Sequence, residues 1–148
     1  MNGDDPPALA GPVVIDASAV VEYLVVLGLT DEATRLFHLA AHGRVELWAP
    51  DLVYAESVSA IRKLLKIGAI AEPAAERAID QLIQLPISIT GTGALMAPVW
   101  NMRAFLTPYD ACYVALADEL ASDFVTGERG LAVELRERGK RARHLGEV

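Results

Sequence analysis

The chain has a single cysteine, Cys112, which excludes a disulfide within it, and the neighbours Ala111, Tyr113 and Val114 point to helix packing rather than thiol chemistry. A reducing, cytoplasmic compartment is therefore expected. Long apolar runs are also missing: the strongest, Ala17 to Leu29, is interrupted by Glu22 and is too short for a bilayer, so no membrane contact is expected. Positive charge is scarce, with 13 Lys and Arg against 20 Asp and Glu and a net charge of -7. That balance excludes a broad basic face and leaves any contact with nucleic-acid phosphate local. The N-terminal residues, among them Asp4, Asp5, Pro6 and Pro7, carry neither the basic start nor the apolar stretch of a signal peptide. No repeat, low-complexity tract or linker interrupts the rest of the chain. Residues 1–12 are thus expected to form a flexible tail and residues 13–148 a single domain.

What the chain has in excess is apolar character, 53% against 22% charged residues, which predicts a compact globule and hints at a self-association surface. A chain of 148 residues buries roughly 70% of its extended surface on folding, so one ordinary core suffices. Val13, Val14 and Ile15 read as a buried parallel strand that delivers Asp16 at its C-terminal end, the edge where open α/β sheets place their sites. A helix starts in Ala19 to Val26, and Thr30, followed by Asp31 and Glu32, reads as the N-cap of a second that ends near Gly43. Val45 to Trp48 is a strand and Asp51 to Ile67 a long helix. At about 100° per residue, that helix places Val53, Tyr54, Ser57, Val58, Ala60, Ile61, Leu64 and Leu65 on one face, with Glu56 at its border.

Further on, Pro73 to Leu85 suits a helix, Ile87 to Thr90 a strand, and Gly93 to Phe105 a helix weakened at Pro98. Thr107 to Leu120 is the clearest helix, with Tyr109, Cys112, Tyr113, Leu116 and Leu120 at helical spacing. Asp123 to Thr126 is a strand, Leu131 to Arg138 a helix, and Ala142 to Leu145 an edge strand. The alternation predicts one three-layer α/β domain with right-handed crossovers around a mostly parallel sheet.

Asp16, Asp110 and Glu128 stand at element ends and Glu56 in mid-helix, and each of the four acids has a structural explanation. Asp110 is the third residue after Thr107 in a capping-box variant, Glu56 suits a solvated helix border, Asp16 can cap the following helix, and Glu128 is an ordinary first-turn acid. Jointly, Asp16, Asp110 and Glu128 fall along one sheet edge, where Glu56 can reach in from its helix. Carboxylates that close hold their charge only if a cation compensates them or some stay protonated. Oxygen-only ligands point to Mg²⁺ or Mn²⁺. Arg62, Lys63, Lys66, Arg103 and Arg129 are candidate phosphate contacts beside the plain reading of solvated helix faces. His38 and His42, four apart, lack a third ligand and read as a surface pair. The stretch Thr92 to Phe105, with Pro98, Trp100 and Met102, is where substrate or dimer contacts are sought, beside its reading as a core helix.

The segments VVIDASAV (13–20), APDLVYAESVSAIRKL (49–64), LTPYDACYVALADEL (106–120) and FVTGERGLA (124–132), in that order, resemble the PIN domain, and within it the VapC-type toxins. The resemblance implies a three-layer α/β/α fold and Mg²⁺- or Mn²⁺-dependent endoribonuclease activity, with Asp16, Glu56 and Asp110 at the positions of the family's metal-binding acids. Glu128 falls where the fourth acid is usually aspartate, and its longer side chain moves the carboxylate outward. Ser18 and Thr126 match small hydroxyl positions beside the site, with orienting roles. The resemblance also implies an RNA substrate, a small antitoxin that blocks the acidic pocket with a basic side chain, and a homodimer. Two other readings compete. A receiver-like, Mg²⁺-binding signalling domain needs an acidic pair after strand one and a lysine after a late strand, where this chain has a lone Asp16 and Thr126-Gly127-Glu128. A degenerate PIN-fold module would bind a partner without catalysis.

Overall fold

The β-branched run after Pro12 is buried on both faces, as the inner strand of a parallel sheet requires: Val13, Val14 and Ile15 have no solvent exposure. They belong to β1 (Gly11–Ile15) of a computed structural model that describes Gly3 and residues 6–148. The expected N-terminal tail falls in part on residues 1, 2, 4 and 5, outside the described residues. Further along it, Leu9 packs into the core and Gly11 and Pro12 are already strand.

Four further strands complete the sheet: β2 (Val45–Pro50), β3 (Ile87–Thr90), β4 (Asp123–Thr126) and β5 (Ala142–His144). Every pairing is parallel, and the order is β3-β2-β1-β4-β5. The direction of winding reverses between β1 and β4, so the chain leaves these neighbouring strands toward different parts of the molecule and opens a crevice at their C-terminal ends. Asp16 follows β1 there, and Gly127 and Glu128 follow β4.

The helices are α1 (Ala17–Leu24), α2 (Thr30–Ala41), α3 (Leu52–Lys66), α4 (Glu72–Leu82), α5 (Met96–Asn101), α6 (Pro108–Leu120) and α7 (Arg129–Glu137). Together with the sheet they make the expected three-layer α/β/α arrangement. α1 packs on α2 and α3, and α3 on α4, while α6 lies along β1, β2 and β4 with α5 beside it. α6 is buried without interruption from Ala111 to Ala117, the pattern of a helix covered on all sides. Gly43 and Gly68 follow α2 and α3 with φ of 70° and 75°, a backbone region glycine enters without steric cost. No helix among the described residues is long and apolar enough to cross a membrane.

Several local expectations need correction. Thr30 does not cap α2: its hydroxyl accepts from the Leu27 N–H at 2.9 Å and donates to the Leu27 carbonyl, closing the preceding turn instead. The helix expected over Gly93 to Phe105 is a 3₁₀ turn (Thr92–Leu95), the short α5 and a run of turns, although Met102, Arg103 and Ala104 are good helix formers, so tertiary context overrides local propensity here. The buried stripe of α3 is narrower than its apolar residues suggest. Val53, Ser57 and Ile61 are buried, whereas Val58 is 43% exposed and lines an open groove with Leu65, Ala75 and Ile79. Tyr109, assigned to the packed spacing of α6, is 64% exposed, since the first turn of that helix projects past its cover.

Because α6 holds one of the site acids and fills the space between sheet and surface, its core contacts set both stability and site placement. Leu116→Ala, at a fully buried position, is expected to lower the unfolding free energy by about 2–5 kcal/mol. Urea unfolding should show a lower midpoint at an unchanged slope.

Candidate active site

At the crevice between β1 and β4, backbone geometry and side-chain hydroxyls hold one carboxylate on both of its oxygens. Asp16 is the N-cap of α1, and its Oδ1 accepts from the Ala19 N–H at 3.2 Å and from the Ser18 hydroxyl at 2.5 Å. Its Oδ2 accepts from the Thr126 hydroxyl at 2.6 Å. The capping role is thus formed, and it leaves Asp16 at the crevice with its carboxylate fixed. Ser18 Oγ in turn accepts from the Gly127 N–H at 2.7 Å, and Thr126 Oγ1 from the Glu128 N–H at 3.0 Å. A Cβ on residue 127 would lie 3.0 Å from Ser18 Oγ, so this close approach depends on glycine.

The remaining acids enter from three helices. Glu56 is in the second turn of α3, and its Oε1 accepts from the Tyr113 hydroxyl at 2.6 Å. Asp110 is in the first turn of α6, where its N–H donates to Thr107 Oγ1 at 3.2 Å as the cap predicts. The reciprocal bond of a capping box, from the Thr107 N–H to the Asp110 carboxylate, is not formed. Glu128 occupies the N-cap position of α7 without making a cap bond, which leaves its carboxylate available to the crevice.

All four carboxyls lie above their ordinary range, and burial is the largest cause in each. Asp16 is pushed up to about 6, against the pull of Ser18, Thr126 and the Ala19 N–H, with the charge of Glu128 adding to the rise. Glu56 is raised by burial and then by Asp110 and Glu128, opposed by the Tyr113 hydroxyl. Asp110 is raised by burial and by Glu134, opposed by Thr107, and Glu128 by burial and by Asp110. The acids therefore share one electrostatic basin. Among the described residues, no Lys, Arg or His forms a salt bridge to any of the four.

This donor set suits a hard divalent cation: its ligands are oxygens, its charge is uncompensated by the chain, and its pKa shifts record the lack of a positive neighbour. Among the described residues no group of three His, Cys, Asp or Glu is drawn together tightly enough to clasp one ion.

Three further residues bear on the candidate acids or their neighbours without a clear sequence signal. Tyr113 reads as core spacing, yet it stands one turn after Asp110 on the same helix face, and burial, then Glu56, pushes its phenol far up so that it stays protonated. The charge of Glu134 on α7 adds to the rise of Asp110, an influence no local pattern announces. His144 accepts from the Gly146 N–H at Nδ1, which leaves Nε2 to donate to the Gly127 carbonyl, each at 3.1 Å. Of the candidate phosphate contacts, Arg103 lies over the Trp100 ring, 4.5 Å from its centroid, and donates to the Trp100 carbonyl. Arg62 faces the groove between α3 and α4. His38 in the last turn of α2 and His42 at its C-cap have ring centroids 6.2 Å apart and planes tilted by 40°. Burial, then Glu56 and Asp51, raises the Cys112 thiol, which keeps it inert.

No protein-family profile matches the chain. Ribonuclease VapC3 of Mycobacterium tuberculosis is 32% identical over 120 residues, covering 81% of this chain and 85% of that protein. Among solved structures, PAE2754 from Pyrobaculum aerophilum superposes with a TM-score of 0.63 at 21% identity, over 95% of this chain and 93% of its own. VapBC2 from Rickettsia felis, bound to a DNA fragment from their promoter, gives a TM-score of 0.59 at 10% identity, over 90% of this chain and 98% of that one.

The elevated pKa of Asp16 makes stability depend on pH in a definite direction. Its neutral form is favoured in the folded state, so that contribution is complete below the unfolded value of 3.8 and is lost as pH rises through about 6. In metal-free protein, Asp16→Asn is expected to be more stable than the parent by about 1–3 kcal/mol at roughly pH 7, with the advantage shrinking toward roughly pH 4. Urea titrations at several pH values measure the difference, and a constant or inverted gap would contradict the burial account.

Proposed function

The chain belongs to the VapC ribonuclease family, and we propose that it is an endoribonuclease whose divalent-cation site is built by Asp16, Glu56, Asp110 and Glu128. The observation that carries this reading is the gathering of four carboxylates at the switch point of a parallel sheet, each raised by burial and then by a nearby acid, and none in a salt bridge among the described residues. An anionic phosphodiester would be repelled from such a basin, so the acids are suited to RNA only when their charge is offset. Mg²⁺, with Mn²⁺ as a substitute, fits the oxygen donors.

Hydrolysis places a water oxygen on phosphorus, breaks a P–O ester bond and moves a proton from the water. A bound cation would supply Lewis acidity to the phosphoryl group and to water. Asp16, held on both oxygens by Ser18, Thr126 and the Ala19 N–H, offers its remaining lone pairs as the fixed wall of the cation site. Asp110 and Glu128 complete that wall, Glu128 from the outer side. Glu56 keeps Oε2 free of protein partners while Oε1 is engaged. Its raised pKa suits it to orient the attacking water and take its proton. Arg103 and Arg129, beside the acid-bearing segments, are the phosphate contacts of this reading.

Family membership sets aside the receiver-like alternative and supports the toxin half of a VapBC-type pair. The partner is then an antitoxin that places a basic side chain among the acids, where an unpaired basin of negative charge favours it. A homodimer belongs to the same reading, supported by the exposed Val58, Leu65 and Ile79.

Asp110→Asn should keep the N–H that donates to Thr107 and hence the helix start. Its melting temperature should stay within a few degrees of the parent while RNA cleavage falls by about two orders of magnitude or more. Chelation of divalent ions should stop the parent enzyme, and added Mg²⁺ or Mn²⁺ should restore it. Cleavage that survives Asp110→Asn removes this residue from the mechanism, and activity indifferent to chelation removes the cation.

A further inference from the structure

We propose that Tyr113 is a positioning residue of the nuclease site, holding Glu56 by one carboxylate oxygen so that the other faces the basin. The inference rests on the reading of Glu56 as a site acid. Tyr113 is 1% exposed, and its ring stacks on Phe124 with centroids 6.0 Å apart, so the phenol cannot swing away. Its hydroxyl donates to Glu56 Oε1 at 2.6 Å across the gap between α6 and α3.

Glu56 needs such a tether. It stands at the border of the buried stripe of α3, has freely rotating side-chain bonds, and faces the negative charges of Asp110 and Glu128. Unheld, its favoured position is outward, into water and away from the other acids. No other side chain donates a hydrogen bond to it among the described residues. Because Asp110 and Tyr113 sit one turn apart on α6, a single helix supplies one acid of the site and the clamp on another. A purely structural tyrosine would contribute its ring alone, and phenylalanine retains that ring. The hydroxyl is therefore the part with a function, and it acts only through Glu56.

The test compares the full-length protein with Tyr113→Phe, Glu56→Gln and the double variant. Tyr113→Phe should lower kcat for RNA roughly 10–100-fold, the usual effect of losing a residue that orients a ligand, with KM unchanged. Mn²⁺ binding to the protein without RNA, followed by electron paramagnetic resonance, should weaken about tenfold. Thermal midpoints should stay close together, and the double variant should be no slower than Glu56→Gln, because the phenol has nothing left to hold. In the unsubstituted protein, the slowly exchanging phenolic proton of Tyr113 should remain visible by NMR when Mg²⁺ is added. This last measurement decides the matter if Tyr113→Phe fails to fold. Full kcat with unaltered Mn²⁺ binding in Tyr113→Phe, multiplying losses in the double variant, or disappearance of the phenolic proton on Mg²⁺ addition would each overturn the proposal. If Glu56→Gln cleaves like the parent, the underlying reading of Glu56 fails instead, an outcome distinct from loss confined to Tyr113.

Discussion

Repulsion among Asp16, Glu56, Asp110 and Glu128 is the constraint to which the rest of the molecule is fitted. Four negative side chains in one basin favour dispersal, and each is raised in pKa by burial, with at least one neighbouring acid adding to the rise. The fold opposes dispersal by attaching each acid to a different rigid element and by meeting two of them with neutral donors. Asp16 is fixed by two hydroxyls and an N–H, and Glu56 by a phenol. Neutral donors hold a carboxylate in place without cancelling its charge, which keeps the basin receptive to a cation. The arrangement is costly to stability in isolation, as expected of a site in which local conflict is offset by a well-packed core elsewhere.

The layered architecture was legible because it rests on short-range patterns. Val13 to Ile15 announces a doubly covered strand, Gly43 and Gly68 mark helix ends, and the alternation of elements leads to a parallel sheet. Asp16, Asp110 and Glu128 drew attention for a related reason, since they stand at element boundaries that the same patterns locate, whereas Glu56 lies within α3 and was singled out by the family resemblance. Tyr113 was read as core because a buried aromatic at helical spacing looks alike whether or not its hydroxyl has a partner 57 positions away. Glu134 and His144 were missed since their roles arise from α7 and β5 folding back along β4. Thr30 and the stretch after Gly93 were misread where local cap and periodicity signals competed with tighter turns.

Sequence relatedness and shape similarity carry different weight here. The mycobacterial VapC3 matches most of both chains at 32% identity and establishes the family, whereas the archaeal and rickettsial structures, at 21% and 10% identity, speak to the fold.

β5, at three residues, is the sheet's outermost strand on the β4 side, and it pairs only with β4. Yet its His144 grips the Gly127 carbonyl, and Gly127 in turn holds the serine that holds Asp16. Edge strands open more readily than central ones. Fraying of this margin would therefore slacken the innermost carboxylate before the core is disturbed, so that the protein would lose its function by degrees on warming while remaining a folded globule.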